Sequence, residues 1–435
     1  MSNNMTYVRT EMLPALPPPA GQGGVVKWLR ENLFSGPLNT VLTILGGVAL
    51  LWIASHVIPW LLHSVWNANS LSECREIITA TWGPDATGAC WAMVRERWHQ
   101  YMFGFYPQDL YWRPTLAFVL MFVALAPVLF THLPRKMLWF TGLYPAIAFW
   151  LLWGGSIWAP VVAMLGFAVM AIVFRIGSPR LGVPVSAGLG VLAAAFWWLF
   201  LQSELSGNLQ SAIPLSIESV DSDQFGGFLL SVVIGVTAIS ASLPMGILLA
   251  LGRQSDMLLV HSLSVGFIEF IRGVPLITLL FTASLLLQYF LPPGSNFDII
   301  LRVIILVTLF AAAYIAEVIR GGLAALPRGQ YEAADALGLD YWQAQRLIVM
   351  PQALKISIPG IVSSFIGLFK DTTLVAFVGL ADPLKGITQI VRSDINWKGI
   401  YWEPYIFAGA IFFLICFGMS RYSMWLEQKL KTDHR

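Results

Sequence analysis

Ten long runs of the chain are almost free of charge, near 38–62, 114–133, 137–156, 158–174, 182–202, 226–251, 273–292, 299–319, 356–380 and 403–425. A bilayer core about 30 Å thick takes about 20 mostly apolar residues per helix, so runs of this length read as membrane spans. Backbone polar groups in lipid have to be satisfied internally, which leaves only helices or a closed barrel. A barrel would show weak alternation in segments of about 10 residues, and that pattern is absent. The expected fold is therefore all-α, a polytopic helical membrane protein with about ten transmembrane helices. Composition agrees, since only 11% of the 435 residues are charged against roughly 25% in an ordinary soluble chain.

Cations in the short connections set an orientation. Lys27 and Arg30 precede the first run, Arg135 and Lys136 join the second to the third, Arg175 and Arg180 join the fourth to the fifth, and Arg253 follows the sixth. With alternating spans all of these fall on one side, which the positive-inside rule makes the cytoplasm, so both termini are expected there. Residues 1–36 begin polar and rich in Pro and Gly, with no early apolar core or cleavage site, and read as a disordered cytoplasmic tail.

Three segments then fall outside: 63–113, a linker at 203–225, and the stretch from Ala381 to Pro404. Trp82, Trp91, Trp98, Tyr106, Tyr111 and Trp112 give the first of them the look of an interfacial aromatic belt, a small cap on the membrane. Cys74 and Cys90 both lie in it. An oxidising compartment would favour a disulfide, yet spacing alone does not show that the two sulfurs meet. Cys416 lies in an apolar run and reads as a small buried hydrophobe. The five runs before the linker carry almost no internal charge, whereas the later ones carry Glu269, Arg272, Glu317, Lys370 and Asp371 in or beside them. This contrast predicts an accessory transmembrane region over 37–202 and a working region over 226–435.

One polar island stands out, "YEAADALGLDYWQAQRLIVMPQ" from Tyr331 to Gln352. Glu332 to Leu337 is rich in helix formers, and Gly338 suits the left-handed position that ends a helix. Asp340 stands three residues before Gln343, as in a capping box, and Pro351 is expected to close the second helix. Two short helices around a glycine also describe a DNA-reading hairpin. Here Arg328, Arg346 and Lys355 only balance Glu332, Asp335 and Asp340, and phosphate contacts supply most nucleic-acid affinity, so no nucleic acid is expected.

The spacing Glu332-Ala333-Ala334, three residues, Gly338, nine residues, Ile348-Val349-Met350-Pro351 closely resembles the EAA loop of ATP-binding-cassette (ABC) importer permeases. That family's pattern ends Ile-x-Leu-Pro, and Met350 is the one departure. "FIEFIRGVPLITLLF" at 267–281, "AAAYIAEVIRGGLAALPRGQ" at 311–330 and "FIGLFKDTTLVAFVGLADPL" at 365–384 look like the polar amino acid uptake branch of those permeases. The likeness covers about Phe225 to the C-terminus. Cys90–Arg113, "GLYPAIAFWLLWGG" and the long N-terminal half resemble membrane subunits of general L-amino acid importers.

The resemblance implies a type I ABC importer permease core in the C-terminal half, in a bacterial inner membrane. It implies a coupling loop at 320–355 that docks on a cytoplasmic ABC ATPase dimer, Glu332 making the polar contact while Ala333, Ala334 and Gly338 permit the fit. A second permease subunit, a paralogue, is expected because these importers use two coupling loops, and an extracytoplasmic amino-acid-binding protein would deliver substrate. A phosphate-cradling loop needs a Gly-Lys-Ser/Thr ending. The chain has no Gly-Lys dipeptide, so ATP and Mg are expected on the partner ATPase, with no cofactor on this chain and no enzymatic activity of its own.

An intramembrane charge costs on the order of 2.5–3.5 kcal/mol and needs a partner, water or a role. Lys370 and Asp371, adjacent on a helix, cannot face one another and with Thr372 and Thr373 make a polar notch, readable as a path for an amino acid or as a structural contact. Glu269 with Arg272, and Glu317 with Arg320, are i,i+3 pairs at span ends, readable as a gate or as structure. Two other classes were weighed. A membrane enzyme needs a clustered constellation, and the six histidines are scattered. An ion-coupled secondary carrier would show inverted repeats, which are not evident.

Overall fold

The computed structural model describes residues 24–130, 132–290 and 298–430, which form two compact units, Met1–Ala92 and Met93–Arg435. In the first unit lie α1 (Gly24–Asn32), α2 (Pro37–Leu62) and α3 (Leu71–Trp82). Part of the expected disordered tail is thus a helix. Val25, Val26, Trp28 and Leu29 share α1 with Lys27 and Glu31, which pair at 3.8 Å across one turn. The rest of that expectation, 1–23, lies outside the described residues. Cys74 and Cys90 are joined as a disulfide with Cα atoms 6.0 Å apart, both fully buried. Beside it the Val65 N–H donates to Ala89 O at 2.8 Å, and Trp66 stacks on Trp91.

The second unit holds α4 (Ala92–Phe103), α5 (Trp112–Leu129), α6 (Leu138–Trp153), α7 (Trp158–Leu181), α8 (Val183–Phe196) and α9 (Gln202–Ala212). After them come α10 (Gly227–Arg253), α11 (Leu258–Gly273), α12 (Leu276–Phe290), α13 (Ile299–Ala324), α14 (Gly329–Ala336), α15 (Tyr341–Ala344), α16 (Met350–Asp371), α17 (Pro383–Ser393) and α18 (Trp402–Leu430). Each apolar run is helical over most of its described length. Among the described residues eight helices are long and apolar enough to cross a bilayer, or up to nine if the bent pair α11–α12 is one span. The remaining run is α6, only 16 residues long.

Residues 258–273, ahead of the apolar run at 273–292, form α11, and the chain bends by 101° between α11 and α12. Pro275 follows the break, where its missing N–H costs no helical bond. Residues 203–212, read as linker, lie in α9, which continues the α8 helix through a π turn at Trp197–Leu201. The unit boundary also falls at Ala92 rather than in 203–225, so α5–α9 belong to the same compact unit as α10–α18.

Two buried clusters run through the second unit. One joins Leu151 and Leu152 of α6 to Leu230 and Ile234 of α10, Leu280 of α12 and Val303 and Val307 of α13. The other joins Ala250, Ile268, Ile315 and Ile319 to Val349, Met350 and Ala353. Gly322 meets Ala353 and Ser357, and Gly360 meets Val318, so α13 and α16 approach more closely than larger residues would allow.

The first half of this unit is fastened to the second at one end. Gly104, just after α4, pairs with Phe225, and Gly226 pairs with Ala381 ahead of α17. The Gly227 N–H donates to Ala381 O at 2.8 Å. The buried Tyr106 hydroxyl donates to Leu152 O at 2.8 Å, and burial pushes its pKa up to about 12, so it remains a donor at any physiological pH. Arg113 Nη1 donates to Glu218 O at 2.6 Å. Gly104 has φ of +68°, and any Cβ there would be driven into the Gly226 backbone. Gly104→Ala is therefore expected to destabilise the purified protein by about 2 kcal/mol or more, read as a lower melting temperature in detergent.

Candidate functional site

The Tyr331–Gln352 stretch is a projecting hairpin whose chemistry follows its sequence. The Gly338 N–H donates to Asp335 O at 2.9 Å and the Leu339 N–H to Ala334 O at 3.2 Å, which closes α14 around a glycine at φ +69°. Asp340 then caps α15 in both directions. Its Oδ1 accepts from the Gln343 N–H at 2.8 Å, while its own N–H donates to Gln343 Oε1 at 3.1 Å. Such caps hold a short exposed helix that its own propensity would not.

Glu332, Ala333 and Gly338 are exposed, and nothing lies within 4 Å of where a Gly338 Cβ would stand. Ala334 differs. It is 1% exposed and packs inward, so it seats the hairpin on its own chain and cannot present itself outward. The exposed face carries apolar bulk that the sequence reading passed over: Leu337 is 72% exposed, Tyr341 52% and Trp342 50%. Three large hydrophobics clustered around a tight turn could have been flagged from residue type alone.

Pro351 does not end the second helix. α15 passes through a π turn at Gln345–Val349 into α16, with Pro351 in the first turn of α16, where proline is tolerated. Helical backbone therefore runs from Tyr341 to Asp371, from the hairpin to the Lys370 notch. Its root belongs to the buried cluster of Ile268, Ile315, Ile319 and Val349. Gln352 Nε2 donates to Gln330 Oε1 at 2.9 Å and ties the two arms of the hairpin together.

At the hairpin end of α10, α11 and α13 five charges converge. Glu317 accepts from Arg320 Nε at 2.8 Å and Nη2 at 2.5 Å, and lies 3.2 Å from Arg253 Nη1 and 3.6 Å from Arg272 Nη1. Arg253 also donates to Glu269 Oε1 at 2.9 Å, and the Arg272 guanidinium lies 5.8 Å from the Tyr314 ring centre. The expected Glu269–Arg272 pair does not form. Each instead reaches across to another helix, Glu269 to Arg253 of α10 and Arg272 to Glu317 of α13. Three arginines against two glutamates leave an excess positive charge, and Arg253, which the sequence offered only as an orientation signal, is the bridge.

The Lys370 notch lies at the far end of α16. Lys370 is exposed, Asp371 is half-buried, and neither makes an ion pair among the described residues. Thr372 is fully buried and its hydroxyl donates to Phe369 O at 2.7 Å, so it faces the protein and cannot line a path. Among the described residues no group of three His, Cys, Asp or Glu is placed to hold a metal ion.

These contacts rank the carboxylates. Glu317→Gln leaves three guanidinium groups with one carboxylate between them and is expected to cost roughly 2 kcal/mol, whereas Glu269→Gln, at the exposed edge, costs about 0.5 kcal/mol or less. Melting curves of the two variants in detergent check the order.

The family of binding-protein-dependent transport system inner membrane components matches residues 242–432. Over 433 residues the chain is 71% identical to the glutamate/glutamine/aspartate/asparagine transport system permease protein BztC of Rhodobacter capsulatus, covering all of both proteins. It is 37% identical to the inner membrane amino-acid ABC transporter permease protein YhdY of Escherichia coli, over 97% of this chain and 98% of that one. A 47% share of the chain matches 91% of the Escherichia coli glutamate/aspartate import permease protein GltK at 31% identity. These relatives are ABC permeases and give an ion-coupled carrier no support. The chain belongs to the ABC transporter permeases for amino acids, the membrane-spanning subunits of binding-protein-dependent import systems.

Proposed function

We propose that this permease works as one of two membrane subunits whose coupling hairpins dock on a separate cytoplasmic ATPase dimer that binds ATP and Mg. The observation that carries the reading is the capped hairpin from Glu332 to Gly338, exposed at its tip and continuous through α16 with the Lys370 notch. Glu332 makes the polar contact, Ala333 and Gly338 leave room for the ATPase surface, and Leu337 and Trp342 fill its groove. In a bacterial inner membrane with both termini in the cytoplasm, the hairpin and the Glu317 cluster lie inside and the Lys370 notch lies toward the outside. Residues 226–435 form the working core, which the match to a permease of half this length supports, and 37–202 the accessory region.

Movement of the hairpin reaches the Glu317 cluster through Val349, Met350 and Ile319, which share one buried core with Ile268. The cluster then acts as the inner gate. Opening it separates charges that rest in pairs, so it favours one of two discrete arrangements over a gradual slide. Lys370 and Asp371 line the path and meet the carboxylate and ammonium of an amino acid, which a soluble amino-acid-binding protein delivers from outside. Given the substrates in the name of the 71% identical relative, glutamate, glutamine, aspartate and asparagine are the substrates to test.

The exposed Glu332 makes no side-chain hydrogen bond or ion pair among the described residues and a Gly338 Cβ would meet open space, so Glu332→Ala and Gly338→Ala are expected to leave folding in place, at a backbone cost of about 1–2 kcal/mol for alanine at φ +69°. ATP-driven uptake of labelled glutamate by proteoliposomes holding both permease subunits and the ATPase should fall about tenfold or more, with loss of co-purifying ATPase. Retention of ATPase and uptake at wild-type levels would sink the docking role. Uptake driven by an ion gradient with no ATPase present would overturn the import mechanism.

A further inference from the structure

At 29 residues α18 is longer than a bilayer needs, and along its second half Phe413, Phe417, Arg421, Trp425 and Lys429 follow one another at four-residue spacing. Residues four apart are neighbours on one face of a helix, so these side chains form a single stripe in which aromatic and cation alternate from Phe417 onward. All five are exposed. Phe413 stacks on Phe417 with ring centres 5.5 Å apart, and the Arg421 guanidinium lies 5.9 Å from the Phe417 ring centre. Lys429 Nζ lies 4.9 Å from the ring centre of Trp425.

Length fixes the depth of the stripe. From Trp402 to Arg421 the helix rises by about 30 Å, the thickness of the hydrocarbon core, so Arg421 stands where α18 leaves it. Phe413 and Phe417 then lie within lipid, and Trp425 and Lys429 lie in the headgroup layer beyond. α5 ends at the same level. The Tyr422 hydroxyl donates to Leu129 O at 2.6 Å, and the Phe130 ring centre lies 6.2 Å from that of Tyr422 and 6.1 Å from that of Trp425. The two helices thus close an aromatic corner in which Phe130 and Trp425 remain exposed. Arg135 and Lys136, also exposed, follow on the turn after α5. Among the described residues Arg421 and Lys429 make no ion pair, and the carboxylate of Glu427, on the opposite side of α18, accepts from the buried Ser423 at 3.2 Å.

We propose that Phe417, Arg421, Trp425 and Lys429 form a binding site for an anionic phospholipid, with its phosphate on Arg421, its acyl chains along Phe417 and Phe413, and its headgroup against Trp425 and the Phe130 corner. A guanidinium at the edge of the hydrocarbon needs an anion, and lipid phosphate is the anion present at that depth. Lys429, with Arg135 and Lys136 nearby on the α5 side, favours a headgroup without an ammonium of its own. The order of the stripe, apolar below and cationic above, matches the profile of a lipid. A soluble protein could not reach Phe413 and Phe417, and the core of a permanent subunit contact is depleted in charge. With the orientation proposed above the site lies in the inner leaflet, and its chemistry is the same in either. Phe412 of α18 packs on Phe369 of α16 with ring centres 5.6 Å apart, so a lipid held here steadies the neighbour of the helix that joins the hairpin to the Lys370 notch.

The test uses the whole transporter, both permease subunits with the ATPase, in phosphatidylcholine nanodiscs in which phosphatidylglycerol replaces a rising share of the lipid while the melting temperature is followed. The wild type should gain stability with phosphatidylglycerol and reach a plateau. Arg421→Gln with Lys429→Gln should lose more than half of that gain, because each cation near an anionic surface adds its own attraction. Arg421→Lys with Lys429→Arg should keep most of it, which simple damage to the fold would not allow, and Lys398→Gln, on the loop ahead of α18, should leave it unchanged. A benzoylphenylalanine at the exposed position 428 should cross-link under light to phosphatidylglycerol, read as an added lipid mass on the peptide. No gain in the wild type, or an equal gain in the Gln pair, overturns the site. Cross-linking at 428 to the second permease subunit or the ATPase in place of lipid overturns lipid as the occupant, as does equal stabilisation by glycerol phosphate in detergent. Each of these outcomes leaves the import reading in place, which ATP-driven uptake tests by itself.

Discussion

A single carboxylate shared among three guanidinium groups is what allows α10, α11 and α13 to converge at the hairpin end. Arg253, Arg272 and Arg320 would repel one another and would be costly near lipid without Glu317 between them. Glu269 neutralises part of what remains. Because the cluster joins three helices, none can shift alone without leaving a charge unmatched, and the hairpin at 331–352 is rooted in the buried core that α11 and α13 share. Rigid packing and mutual charge satisfaction together make that end of the molecule a unit with few stable arrangements.

Much of this was readable from residue order. The apolar runs gave the spans, because a bilayer fixes both length and composition. The hairpin was legible in detail, since Gly338 and the Asp340–Gln343 box are local devices whose geometry depends on neighbours in sequence. What escaped depended on partners distant in the chain. Glu269 and Arg272 looked like partners of each other because they stand three residues apart, and only the fold brings Arg253 and Glu317 of other helices to them instead. Pro351 looked like a terminator because local rules cannot see that a π turn has re-registered the backbone around it. Ala334 and Thr372 sat beside outward-facing residues, and helical phase placed them inward.

The segment around α4 illustrates the same limit from the other side. Its tryptophans and tyrosines suggested a passive cap at the membrane surface. In the fold Tyr106, Gly104, Arg113, Glu96 and Arg97 instead interlock with residues 218–227 and 381–397, joining parts of the chain that hydropathy had separated. The residues of α4 to α9 contribute backbone pairing and buried hydrogen bonds to those of α10 to α18, which explains why the second compact unit begins at Met93 rather than beyond residue 203.

The π turn between Tyr341 and Asp371 has a geometric effect of its own. Each residue advances an α-helix by about 100°. The extra residue that a π turn accommodates therefore rotates everything on one side of it by about that angle relative to the other side. The azimuth at which Trp342 leaves the helix is thus decoupled from the azimuth at which Lys370 projects from its other end. A helix built this way can re-aim the exposed face of its hairpin by gaining or losing one residue at 345–349, without turning any side chain beyond Met350.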